Sequence, residues 1–143
     1  MSIKKIVSWS FAAIGLAIII VFLLKLENAF SEITFADQVR LALRNYHISI
    51  WIAWVIVTSS ATYYQWTQKK YIIFVLDYLL IILAFIFFRN YLSLGEEEGF
   101  WSLGSSFKTG ANFTSMRNAL VMIFMTAFVQ AAIKFFSSKW HRK

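Results

Sequence analysis

Asp77 is an acid set inside a long run of apolar residues. An ionised Asp at mid-bilayer costs about 2.5–3.5 kcal/mol on insertion scales, so such a residue faces a bundle interior and takes a partner. Depth along the neighbouring runs supplies the candidates. Asp77 lies six residues in from Tyr71 and Gln130 six in from Phe136, while Ser59 and Ser60 sit at a similar depth, with Thr58 and Thr62 beside them. One polar layer toward one side of the membrane is expected from Asp77, Gln130, Lys134, Ser59 and Ser60, with Lys134, a turn beyond Gln130, reaching Asp77 as its counter-ion. Two chemistries suit such a layer. Interhelical hydrogen bonds, at about 0.6 kcal/mol each on average, orient the helices. Alternatively a carboxylate at restricted depth selects cations, which for one acid per subunit requires copies arranged in a ring.

Enzymatic chemistry lacks its parts. The two histidines, His47 and His141, fall on opposite sides of the membrane under the topology derived below, and there is no Cys. That leaves no His-based metal centre and no thiolate site within one subunit. A Ser-His-Asp set from His47 and Asp77 is separated by most of the bilayer, and no second acid matches the depth of Asp77. No phosphate-binding glycine loop is present, so neither catalysis nor a cofactor or metal is expected.

The elements that position these residues follow from composition. The 143-residue chain is 59% hydrophobic and 15% charged, where soluble domains carry about 25% charged residues. An all-α integral membrane protein is expected, a four-helix bundle forming a single transmembrane domain over residues 1–143. The spans are predicted at about residues 6–26, 46–67, 71–91 and 118–136, each long enough to cross the hydrocarbon. The first apolar run exceeds the h-region of a signal peptide and has no A-x-A-like site after it.

Charge sets the orientation, because short cytoplasmic loops retain Lys and Arg. One side carries Lys4, Lys5, Lys69, Lys70, Lys134, Lys139, Arg142 and Lys143 with no acid. The other carries Lys25, Arg40, Arg44, Arg89, Lys108 and Arg117 against Glu27, Glu32, Asp37, Glu96, Glu97 and Glu98. Both termini are therefore expected in the cytoplasm, with the chain in a bacterial inner membrane. The pI of about 9.8 reflects this asymmetry, and no direct nucleic-acid binding is expected. Lys69, Lys70, Lys139, Trp140, Arg142 and Lys143 are expected to meet anionic lipid headgroups or an acidic cytosolic partner.

On the external side, Ser31 or Asp37 is a candidate N-cap for a helix that extends outside the bilayer and runs unbroken into the second span. Arg40, Arg44 and His47 share one stripe of it and Val39, Leu43, Tyr46 and Ile50 another. The R-x6-H spacing of Arg40 and His47 resembles that of the HEPN ribonucleases, in that pair alone, yet the topology puts both residues outside, away from cytosolic RNA. Residues 90–118 are expected to form one long external connection holding Glu96, Glu97, Glu98 and Trp101. Runs of that length without secondary structure are usually functional or disordered. With Arg40, Arg44 and His47 they are expected to make an external sensing surface.

Two function classes remain. The first is a non-enzymatic homo-oligomeric membrane subunit that senses an envelope or membrane event and anchors or regulates a soluble cytosolic effector. The alternative is a small homo-oligomeric ion channel around an Asp77 layer. In layout, with four spans, internal termini and no catalytic set, the chain resembles the small membrane components of bacterial anti-phage systems, such as the membrane subunit of Kiwa or the ion-channel half of the Rex exclusion pair. That resemblance implies antiviral defence as the setting.

Overall fold

The computed structural model describes residues 2–32, 36–97 and 105–140, with side chains placed over 2–21, 24, 40–90 and 110–138. Four helices make up nearly all of it: α1 (Ile3–Glu32), α2 (Ala36–Gln68), α3 (Ile72–Glu97) and α4 (Ser105–Trp140). Each contains a stretch long and apolar enough to cross a membrane, namely Ile3–Val21, Arg40–Gln68, Ile72–Asn90 and Gly110–Ser138. The described residues are thus all-helical, with four helices long and apolar enough to cross a membrane, as the apolar runs predict.

The helices outrun those apolar stretches. With 33 residues, α2 is about 50 Å long at 1.5 Å per residue, well beyond a hydrocarbon core of about 30 Å. Residues 90–118, expected as one connection, are instead helical at both ends: α3 continues to Glu97 and α4 begins at Ser105. Polarity ends contact with lipid, but it does not end a helix. No proline interrupts either segment, and Gly95 and Gly110 are accommodated within them, at roughly 1 kcal/mol each relative to alanine. The two N-cap candidates are displaced for the same reason. Ser31 belongs to the last turn of α1, and Asp37 to the first turn of α2.

Small residues let α1 approach α2. Ser8, Ala12, Gly15 and Ile19 are buried at i, i+4, i+7 and i+11, as are Ala53, Val57, Ser60 and Tyr64 on α2. This spacing makes one seam on each helix. Ser60 donates to the Ser8 carbonyl at 2.5 Å, and Trp9 stands edge-on to Tyr64 with centroids 6.4 Å apart. Gly15 sits against Val57, and a Cβ there would also lie 3.3 Å from the Ala53 carbonyl oxygen. Without a hydrophobic driving force between helices in lipid, such close packing does the work of association.

The opposite side of α2 receives α3 and α4. Tyr46 is buried, its hydroxyl donates to the Ala84 carbonyl at 2.9 Å, and its ring stacks on Phe88 at 5.5 Å. Ile73, Phe74, Val57, Ala61 and Tyr64 form a shared core with Ala12 and Ile133. Both α1 and α4 touch α2 and α3, while among the described residues α1 and α4 do not meet. In cross-section α2 and α3 therefore occupy the short diagonal and close the centre. Outward-facing Phe124 and Phe128 are 71% and 75% exposed, the disposition that a hydrocarbon solvent favours.

Residues 69–71 join α2 to α3, and Lys69 has φ 55°, with its N–H on the Gln65 carbonyl at 2.9 Å. That left-handed residue just past a helix end is the position where glycine is usual. A residue with Cβ pays roughly 1 kcal/mol or more there. Lys69→Gly is accordingly expected to raise stability by about 1 kcal/mol, read as a higher melting temperature in detergent; an unchanged or lower value would contradict it.

Candidate functional site

Asp77 belongs to the buried stripe of α3 formed by Ile73, Asp77, Ile81, Ala84 and Phe88, and is 1% exposed. The same stripe that packs α3 against the bundle therefore carries the carboxylate inward. Thr58 on α2 donates to Oδ2 at 2.7 Å, and Thr126 on α4 donates to the same oxygen at 3.4 Å. Thr126 in turn accepts from the indole Nε1–H of Trp54 at 2.9 Å. One acid thus ties α2, α3 and α4 through a chain that begins at an indole and ends at a carboxylate. The indole N–H of Trp54 thereby has a polar partner across the bundle, and Trp51 stands edge-on to it at 5.5 Å.

Only part of the expected polar layer assembles. Gln130 joins indirectly, accepting from the Tyr78 hydroxyl at 3.2 Å, one residue along from Asp77. Ser60 turns to α1 and Ser8. Ser59 faces outward, where it lines a surface groove of about 420 Å³ with Thr58, Thr62, Tyr63, Trp66 and Val129. Lys134 is exposed, and it is not the partner of Asp77. It lies eight residues past Thr126, about 12 Å along the axis, and its ammonium gains more from the aqueous boundary than from the bundle. Thr126 belongs to the layer although depth along the apolar runs does not single it out; its place four residues before Gln130 puts it on the same helix face.

Two small cavities adjoin this cluster. One of about 10 Å³ is lined by Asp77, Trp54, Leu80 and Ile19 together with Ile50 and Ile81. The other, of about 20 Å³, is bounded by the same Ile50 and Ile81, and beyond them by His47, Ser115, Asn118 and Met122. Of the basic stripe on α2, Arg40 and Arg44 are exposed. His47 is half-buried, 5.0 Å from the Phe88 ring centroid and 5.9 Å from that of Tyr46. The stripe therefore splits, with its histidine turned into the bundle.

Glu96 and Glu97 lie in the last turn of α3, while Glu98 and Trp101 fall outside the described residues. Lys69 and Lys70 are exposed in the α2–α3 connection. Lys139 and Trp140 end α4, their side chains outside the described set, as are Arg142 and Lys143 entirely. Among the described residues no three His, Cys, Asp or Glu side chains come together as a metal site. Compared with protein-family models, curated proteins and solved structures, the chain matches none.

Proposed function

We propose that this chain is a non-enzymatic, homo-oligomeric subunit of a bacterial inner membrane that responds to a membrane or envelope event and holds a soluble cytosolic effector, in an anti-phage defence setting. The observation that carries this reading is the enclosure of Asp77 by Thr58, Thr126 and three packed helices. The acid within the hydrocarbon is used to join helices, and the small cavities beside it are no path for a hydrated ion. Charge is otherwise placed at the ends of the spans. Antiparallel neighbours bring Lys4, Lys5, Lys69, Lys70 and Lys134 to one end of the bundle and Arg40, Arg44, Arg89 and Arg117 to the other. The first group, continued in sequence by Lys139, Arg142 and Lys143, makes a basic face suited to anionic lipid and to an acidic protein.

The test is purification of the full chain and of a chain cut after Ser138 from mild detergent, each with mass determination of the complex. A soluble protein that copurifies with the full chain and is lost with the tail is the expected result. A homo-oligomer alone in both preparations would overturn the effector role. The second reading, a homo-oligomeric channel, draws support from the hydroxyl-bearing outer groove at Ser59 and Thr62, which neighbouring copies would have to enclose. Conductance in a planar bilayer is its measurement.

A further inference from the structure

Asp77 has features that joining helices does not require. Both hydroxyls bond to Oδ2, leaving Oδ1 for another occupant, and the residue borders a cavity whose other walls are aliphatic apart from Trp54. No cationic side chain faces it among the described residues. The groups on the helices packed around it are Thr58 and Trp54 on α2, Tyr78 beside it on α3, and Thr126 and Gln130 on α4, with Ile19 from α1. Of the basic groups, His47 lies at the far side of the second cavity and Lys134 is exposed. A bare carboxylate in such a place is costly within a bilayer. It must be neutralised by something other than a side chain.

Two occupants can do this. A sodium ion needs several oxygens, but among the described residues only the hydroxyls of Thr58 and Thr126 bond the carboxylate, and the adjoining cavity walls offer mostly hydrocarbon. A proton needs a single oxygen. We infer that Asp77 is a membrane-embedded proton-binding site, reached from the His47 end of the bundle through the two cavities that meet at Ile50 and Ile81. The outer cavity, at about 20 Å³, exceeds the roughly 10–15 Å³ that one water needs and has polar groups to hold it, whereas the inner one is at the limit. A hydronium at the His47 end gives up its proton, leaving water; a new O–H bond forms on Oδ1, and the carboxylate becomes a neutral carboxylic acid. Thr58 and Thr126 keep Oδ2 occupied in both forms. The site goes beyond the effector-holding reading and does not depend on it: it supplies an event, acidification on the His47 side, that such a subunit can register.

Infrared difference spectroscopy on the full chain in lipid nanodiscs tests this without any partner. The expected result is a carbonyl band of a buried carboxylic acid at neutral pH, shifted by deuterium exchange and absent in Asp77→Asn, which keeps size and hydrogen-bonding capacity. Absence of the band in the native chain, or its persistence in Asp77→Asn, would overturn the site. Loss of the band on adding sodium at constant pH would assign the oxygen to a cation and overturn the proton. The route has its own readout: Ile50→Phe, which narrows the junction, slows deuterium exchange at this band several-fold, and Ile50→Ala, which widens it, speeds it. Exchange rates unchanged by both overturn the access from the His47 end.

Discussion

Gly15→Ala is expected to destabilise the bundle by about 2 kcal/mol, and Gly15→Leu by about 3 kcal/mol or more. The smallest side chain already meets Val57 at a distance that real Cβ atoms do not show, and the Ala53 carbonyl at 3.3 Å. Val57 is 1% exposed and branched at Cβ, so its rotamers are few. The clash is relieved by moving α1 away from α2, which stretches the 2.5 Å bond from Ser60 to the Ser8 carbonyl and opens the seam along its length. Lipid chains solvate the separated faces as well as the helices do, so little opposes the separation except the lost packing. The cause is identified by a second substitution. Val57→Ala removes the methyl groups that obstruct the new side chain, and Gly15→Ala with Val57→Ala should be more stable than Gly15→Ala alone. Melting temperatures of the four proteins in one detergent decide it, and additive losses would show that Gly15 matters for some reason other than contact with Val57.

The positions of the four apolar helices were legible because hydropathy measures what lipid requires. Helix ends were not, since α3 and α4 continue past the apolar runs through residues that water solvates equally well as helix. The inward direction of Asp77 was legible from the cost of its charge. Which side chains meet Asp77 was not legible from depth alone. Each residue turns a helix by about 100°, so Thr58, Ser59 and Ser60 share a depth yet face the carboxylate, the outside and α1 in turn. Depth counting selected the two serines, and azimuth selects the threonine. Lys134 was misplaced by the same simplification, with a long flexible stem granted a reach toward a buried acid when a shorter route to water lay open.

Removing the two threonine hydroxyls together separates hydrogen bonding from packing at Asp77. Thr58→Val with Thr126→Val preserves shape, and it leaves Oδ2 without donors and the Trp54 indole N–H without an acceptor. Interhelical hydrogen bonds in membranes average about 0.6 kcal/mol and reach about 1.7 at most, because the separated helices also find partners. Orphaning buried groups is the larger cost, about 1–3 kcal/mol for each. With a carboxyl and an indole both stranded, the double variant should lose about 3 kcal/mol in total. Adding Asp77→Leu removes the stranded acid, and the triple variant should regain more than half of that loss even though it contains fewer hydrogen-bonding groups than either parent. The residual deficit belongs to Trp54, and Trp54→Phe should reduce it further. Unfolding by titration with a denaturing detergent measures each step. A triple variant less stable than the double one would mean that Asp77 holds the helices through contacts other than its two threonines. A recovery would place the whole cost in unsatisfied polarity, and would show that the bundle closes around this acid without depending on it for strength.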